Sequence, residues 1–399
     1  MDNLNRKSKK IGLCIAYREN HNNFGTSLVG FALTKVVQSL GYSYEIIHYR
    51  KERSIIKSLL DAPFILISGG LNTLKNRIKV KINLKRYFFY AQGIKERTSA
   101  VNTYKKLNLI PLMRTYKGFN ALKKGSLNYD LIIVGSDQVW LPLGLYKKFF
   151  NLLFVNDRIP KMAYSSSFGV SKIPIWQKKK TRYYLNRFDA IGVREIKGKE
   201  IVEKNSNNSA TVVLDPTLLV PNKEWEKELR QCSLVTSNDY IFCYLLGNSR
   251  VSRDAVNQLK EKTGLPIVFC PHMDEYVKDD DNFGDYSPYA FTPNDFVNHI
   301  KHARYVCTDS FHATIFSIHF EKKFLTFYRF NSKSSNSRNS RIDSLFSLLN
   351  LENRLFQGDV SAITQDINYK EVLIKLSKLR ENSLSFLESN IRKCTGEVA

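Results

Sequence analysis

The chain is predicted to be an α/β protein: two successive parallel sheets wrapped by helices, with a long helix closing the C-terminus. Three observations carry this. Short apolar stretches alternate with helix-spaced apolar patterns in both halves of the 399 residues, as βαβ units require. The strongest stretch, Leu131-Ile132-Ile133-Val134, is apolar throughout rather than alternating, as expected of a strand buried on both faces. Asp215-Pro216 and Pro221 then interrupt the first series, and the same alternation restarts beyond them.

Taken in order, residues 11–16 form a strand and a polar, Asn-rich loop follows at 21–25. From residue 26 to 40, Leu28, Phe31, Ala32, Leu33, Val36, Val37 and Leu40 recur at helical spacing, and Gly41 closes the helix. Strands are expected at 44–48, 63–68, 131–134, 162–166, 190–193 and 210–214. The break near residue 222 divides the chain into domains 1–222 and 223–399, both Rossmann-like. In the second, strands at 240–246, 266–270, 305–308 and 324–327 alternate with helices at 251–263, at 293–302 with Pro293 in its first turn, and from His312 onward. Residues 331–341 are rich in Ser, Asn and Arg and read as a loop. Val372, Leu373, Leu376, Leu379, Phe386, Leu387 and Ile391 then mark a long amphipathic helix.

Composition narrows the setting. Hydrophobic residues make up 43% of the chain, enough for a core, but no apolar run approaches the ~20 residues of a membrane span. The polar, basic N-terminus does not resemble a signal peptide, so a cytoplasmic protein is expected. Six scattered cysteines without a CxxC pair read as reduced thiols. The net charge is +24, and residues 75–124 hold 14 Lys/Arg against one acid, Glu96. Tyr87, Phe88, Phe89, Tyr90, Tyr104, Tyr116 and Phe119 are interleaved with that charge. A basic, aromatic-rich surface suits the anionic inner face of a membrane. Nucleic acid attracts the same charge but is not the expected partner, and a plain solvated face is the simpler alternative.

One stretch is the most informative: Thr308-Asp309-Ser310-Phe311-His312-Ala313-Thr314-Ile315-Phe316-Ser317. It reads as strand end, tight turn and helix start, with Asp309 and Ser310 where cap residues belong and His312 in the first helical turn. Free N–H groups and the helix dipole favour an anion there, and a histidine can bind it or move a proton. Other notable loops, 21–25, 135–140, 165–169, 194–198 and 215–217, also fall at strand carboxyl ends, where parallel sheets bind ligands.

The ordered set Asn22-Asn23-Phe24-Gly25, Gly135-Ser136-Asp137-Gln138-Val139-Trp140, Tyr164-Ser165-Ser166-Ser167-Phe168-Gly169, Phe188 to Glu195, Asp215-Pro216-Thr217 and Thr308 to Ser317 resembles the polysaccharide pyruvyl transferase family. The resemblance runs from about residue 11 to 355, ending with Arg341 and Leu351-Glu352-Asn353-Arg354. It implies a GT-B-like arrangement of the two domains, with acceptor on the N-terminal side and donor on the C-terminal side. It further implies transfer of pyruvate from phosphoenolpyruvate to two hydroxyls of one sugar, giving a cyclic ketal in a capsule or exopolysaccharide precursor. The acceptor would be a lipid-linked or free glycan. Family members are thought to bind the donor through residues matching Arg194 and His312. The family's usual Gly after the His is Ala313 here, harmless if residue 313 is helical.

Phosphoenolpyruvate is a substrate, and no cofactor or metal is expected. Its carboxylate and phosphate call for cations and aimed N–H groups. Arg194 can meet either anion in a bidentate way; Ser310, Phe311, His312 and Ser165 complete the expected donor set. His312 can hold the phosphate or protonate the enol carbon. Asp137 is the first candidate to deprotonate the sugar hydroxyl and Asp309 the second, although a cap position would occupy Asp309 otherwise. Asn22, Asn23, Gly25, Ser136, Gln138 and Trp140 are expected on the acceptor side; Trp140 either stacks on a sugar or fills core. His319 and Asp215-Pro216 read as structural. Asp279-Asp280-Asp281 and the His299/His302 pair invite a metal reading, but neither has the spacing of a cage. A GT-B glycosyltransferase using a nucleotide sugar, and a non-catalytic scaffold, are the alternatives.

Overall fold

Eleven strands form two all-parallel sheets in the computed structural model, which describes residues 9–19, 21–52, 71–330 and 338–397. The first sheet has seven strands in the order β3-β2-β1-β4-β5-β6-β7. These are β1 (Lys10–Cys14), β2 (Ser43–Arg50), β3 (Met113–Lys117), β4 (Leu131–Val134), β5 (Lys161–Ser166), β6 (Ala190–Val193) and β7 (Thr211–Val212). The second has four, ordered β11-β10-β8-β9: β8 (Ile241–Tyr244), β9 (Ile267–Phe269), β10 (Tyr305–Thr308) and β11 (Lys323–Thr326). Central strands β4, β8 and β10 are buried along their whole length, which is why their sequences run apolar without alternation. The strand expected at 63–68 lies outside the described residues, as do 331–337 of the expected loop.

In each sheet the strand order reverses at one point, between β1 and β4 in the first and between β8 and β10 in the second. Connections leave in opposite directions there, opening a crevice at the strands' carboxyl ends. Helix α1 (Phe24–Ser39) starts at the first crevice, capped by Asn23, whose Oδ1 accepts from the Thr26 N–H at 3.1 Å. The β10 strand leads to the helix Phe311–His319, capped by Ser310.

The basic segment departs most from the sequence reading. It folds into two helices, Leu71–Arg86 and Phe88–Asn108, then supplies the edge strand β3. The second of these helices clasps the opposite lobe: Arg97, buried, donates to the Tyr289 carbonyl at 2.6 Å and to the Pro271 carbonyl at 3.3 Å. Phe24 reaches across too, stacking on Phe296 at 4.8 Å. One apolar cluster therefore runs through both lobes. The long helix Tyr369–Thr395 returns to the first sheet, where the Ser383 Oγ accepts from the Leu214 N–H and Arg380 donates to the Leu218 carbonyl. All six cysteines are free thiols.

Candidate active site

The crevices of the two sheets meet, and Arg194, Asp137, Asp215 and His312 lie at the join. Arg194, at the end of β6, is only 2% exposed and bridges two carboxylates: Nη1 to Asp215 Oδ2 at 2.7 Å and Nη2 to Asp137 Oδ1 at 3.0 Å. Asp215 caps the short helix Pro216–Leu219, accepting from the Thr217 N–H at 3.0 Å and hydroxyl at 2.7 Å. Asp137 follows β4 with φ 76°; a short polar residue tolerates that left-handed conformation, and functional sites are where it recurs. Its Oδ2 accepts from the Thr26 hydroxyl at 3.2 Å. His312 comes from the second sheet. Its Nε2 lies 3.7 Å from Asp215 Oδ2, beyond hydrogen-bond reach, and is buried without a partner.

The electrostatics follow from this packing. Burial pushes the Asp137 carboxyl up, but Arg194, His312 and Arg341 together hold it well below the usual carboxylate range. Asp215 behaves likewise: His312, Arg194 and Thr217 outweigh burial and hold it low. Both are therefore ionised at neutral pH. Next to them, burial raises the Glu195 carboxyl; its Oε1 accepts from the Ser167 hydroxyl and the Phe168 N–H, while Oε2 has no partner.

Two glycines are set by close approach. A methyl added at Gly25 would fall inside the His312 ring, so the first turn of α1 houses the histidine. A Cβ at Gly135 would meet the Tyr164 carbonyl, which fixes the turn presenting Asp137.

A family model for polysaccharide pyruvyl transferase matches residues 23–331. The chain belongs to that family. It is accordingly a transferase. Among solved structures, the S. aureus MnaA–UDP co-structure aligns with a TM-score of 0.51 and 12% identity, covering 98% of each chain. UDP-GlcNAc 2-epimerase from Neisseria meningitidis bound to UDP-GlcNAc aligns with a TM-score of 0.49 at 9% identity, covering 97% of this chain and 99% of that one. The E. coli ADP-heptose lps heptosyltransferase II gives a TM-score of 0.34 at 10% identity, over 94% and 99% of the two chains. The first of these likenesses shows the GT-B-like fold and nothing of substrate. Among curated protein sequences, none matches this chain.

Several expected contacts need correction. Trp140 is fully buried among Phe168, Tyr184 and Phe188, with Nε1 donating to the Phe150 carbonyl at 3.0 Å, so it fills core and offers no face to a sugar. Ser136 is sealed, its hydroxyl donating to the Ser165 carbonyl at 2.7 Å, and the Ser165 hydroxyl is itself inaccessible. Neither reaches a ligand. Asp309 is not the helix cap; its two oxygens accept from the Leu246 and Gly247 N–H groups at 2.6 and 2.8 Å, tying the ends of β8 and β10 together. Burial raises its carboxyl, and both oxygens are already engaged. Phe311 is 5% exposed and serves its neighbours: the guanidinium carbons of Arg194 and Arg341 lie 4.6 and 5.2 Å from its ring centre. Arg194 itself donates to the two carboxylates and keeps its Nε without a hydrogen-bond partner.

Half-buried residues remain at the opening. Asn22 donates to the Thr98 hydroxyl at 2.9 Å, Asn23 caps α1, and Gln138 Oε1 accepts from Arg338 at 3.2 Å. Ala313 is helical and buried, so its methyl is accommodated. The Asp280 carboxylate pairs with Arg253, and the His299 and His302 rings bond to backbone groups. Asp215 was read as structural in sequence, and Thr26, Glu195, Arg338 and Arg341 carried no assigned role. Asp215 had one usable signal, a carboxylate at a strand end in register with Asp137 and Arg194.

Proposed function

We propose that this transferase moves pyruvate from phosphoenolpyruvate to two hydroxyls of one sugar in a cell-surface polysaccharide precursor, forming a cyclic ketal. Family membership supports the reaction class. The observation that carries the site assignment is His312: a histidine from one sheet with an unpartnered Nε2, facing the ionised pair Asp137 and Asp215 of the other.

In this reading His312 delivers a proton to the methylene carbon of the enol. The central carbon becomes electrophilic, and the two carboxylates stabilise the developing positive charge. A first sugar hydroxyl adds to that carbon and loses its proton. Asp137, with its side chain 17% exposed, takes that proton. A carboxylate held so low is a weak base, but a weak base suffices against a cationic carbon. The C–O bond to phosphate then breaks, the second hydroxyl adds, and its proton leaves with inorganic phosphate, while the proton on Asp137 returns to His312 and restores both groups. One phosphoenolpyruvate and one diol give one ketal and one phosphate.

The acceptor side is assigned to the first lobe, near Asn22 and Gln138. A lipid-linked acceptor would bring the enzyme to a membrane. No helix among the described residues is long and apolar enough to cross one. The helical hairpin offers an alternative, with Phe88 and Phe89 75% and 74% exposed beside exposed Lys75, Lys79, Lys81, Lys85 and Arg86. That combination suits peripheral contact with an anionic bilayer. The MnaA structure holds UDP, so UDP is the control ligand for a nucleotide-sugar donor.

The test is glycan-dependent release of inorganic phosphate from phosphoenolpyruvate. Native protein is expected to show it, and His312→Ala to lose roughly 100-fold or more. Undiminished release by His312→Ala would remove the histidine from the chemistry.

A further inference from the structure

The first lobe carries a second opening that the transfer chemistry does not use. A cleft of about 510 Å³ lies between the helix Phe88–Asn108 and the β2–β3 edge of the first sheet. That volume falls within the range of small organic ligand sites, about 300–1,000 Å³. Four elements wall it: Tyr17 and Glu19 from the loop after β1, His48 from β2, Thr115 from β3, and Ser99 and Asn102 from one face of the helix. The loop after β1 joins this cleft to the crevice. Beyond Glu19 it runs to Asn22 and Asn23 at the crevice opening, and then to Gly25 against the His312 ring.

The unspent polar groups decide what fits. Among the described residues, the Tyr17 hydroxyl and the Asn102 amide make no hydrogen bond. His48 Nδ1 meets the Thr115 hydroxyl at 3.1 Å, but Nε2 stands 3.7 Å from Glu19 Oε1, beyond hydrogen-bond reach. Glu19 gives Oε1 to Arg50, accepting from Nε at 3.1 Å and Nη2 at 2.8 Å, and keeps Oε2 free. The cations, by contrast, are mostly engaged. Lys105 is buried, and its Nζ donates to the carbonyls of Arg18, Glu19 and His21 at 2.9, 3.4 and 2.7 Å. Arg50 is paired with Glu19, so Lys106 alone in the lining keeps an unpaired charge. A phosphate site calls for guanidinium groups or aimed N–H groups free of carboxylate. Free donors and acceptors set side by side suit hydroxyls, each of which both donates and accepts. Ile110 and Met113 add an apolar strip for a ring's C–H face.

We propose that this cleft is a glycan subsite, holding neutral sugars of the acceptor next to the one that enters the crevice. The reacting sugar stays near Asn22 and Gln138, and the shared loop carries the chain from one opening to the other. That the glycan is an acceptor of pyruvate rests on the transfer reading; the fit of the cleft to a polyhydroxylated ligand does not.

Calorimetry on the full chain tests it, with the oligosaccharide released by mild acid from a polyprenyl-linked glycan fraction as titrant. Ser99→Trp, at an exposed helix position, fills the cleft and is expected to abolish binding. Tyr17→Phe and Asn102→Ala are each expected to weaken binding about tenfold, one lost hydrogen bond apiece. All three should melt close to the native temperature, because each alters a group that makes no hydrogen bond in the folded chain. Binding by Ser99→Trp within about twofold of native would overturn the assignment, and so would a native chain that binds no oligosaccharide. Displacement of the oligosaccharide by inorganic phosphate would overturn it too, making the cleft an anion site. If binding depends on Tyr17 and Asn102 but the glycan elicits no phosphate release from phosphoenolpyruvate, the glycan subsite stands and the transfer reading falls.

Discussion

At the residue scale, the site is organised by which charges are compensated. Asp137 and Asp215 share Arg194 and remain ionised, whereas Asp309 spends both oxygens on backbone N–H groups. Asp309→Asn is therefore expected to lower the melting temperature but keep turnover within about tenfold, while Asp137→Asn loses roughly 100-fold or more. Equal losses in a steady-state assay would return Asp309 to the role of base. The same charges set the acid response. Asp137 and Asp215 are held below their ordinary value in the folded chain, so their stabilisation is complete above the unfolded value of ~4 and is lost as pH falls below it. Melts between pH 6 and pH 3 should drop less steeply in Asp215→Asn than in the native chain, and parallel curves would contradict the assignment. His312, Asp137 and Arg194 were legible because each follows a short apolar strand in a polar turn. Arg341 was not: it closes a Ser/Asn/Arg-rich stretch with no periodicity, and only the fold brings it, buried, over the Phe311 ring beside Asp137. Trp140 was ambiguous because a tryptophan in a turn suits a sugar or a core equally, and packing decides.

At the scale of elements, strand and helix identity followed the apolar pattern closely wherever both faces are buried, as in β4, β8 and β10. Edge strand β3 was missed. Its sequence Met113-Arg114-Thr115-Tyr116-Lys117 lies inside a basic run, with no alternation of burial to mark it, and pairing with β2 makes it a strand. The α1 helix was placed by its periodicity, but its first turn, which holds Gly25, was read as loop. Gly25 looks like part of a polar acceptor loop in sequence; in three dimensions it leaves room for the His312 ring. Gly25→Ala should therefore destabilise by about 1–3 kcal/mol through overpacking, and it should lower kcat more than it raises the acceptor KM. A purely acceptor-side effect, with KM raised and kcat intact, would place Gly25 on the sugar instead.

At the scale of the molecule, two parallel sheets set their crevices face to face, and neither alone completes the site: His312 belongs to one sheet, its carboxylates to the other. The buried Arg97 and Phe24 contacts and the returning C-terminal helix hold that arrangement. The hairpin that carries Arg97 also displays Phe88 and Phe89, so a membrane contact there would be linked mechanically to the crevice. Phe88→Ser with Phe89→Ser is expected to reduce co-sedimentation with phosphatidylglycerol vesicles about tenfold, with little binding of either form to pure phosphatidylcholine. Unchanged sedimentation would detach the hairpin from any membrane role. All of these contacts serve the transfer of pyruvate. Its most direct test follows phosphoenolpyruvate labelled with carbon-13 at the central carbon, supplied with a polyprenyl-linked glycan fraction, by NMR. The label is expected to move to a quaternary ketal carbon on the glycan, with one phosphate released per ketal, and His312→Ala to abolish both. Label remaining in phosphoenolpyruvate while a nucleotide sugar glycosylates the same fraction would contradict it.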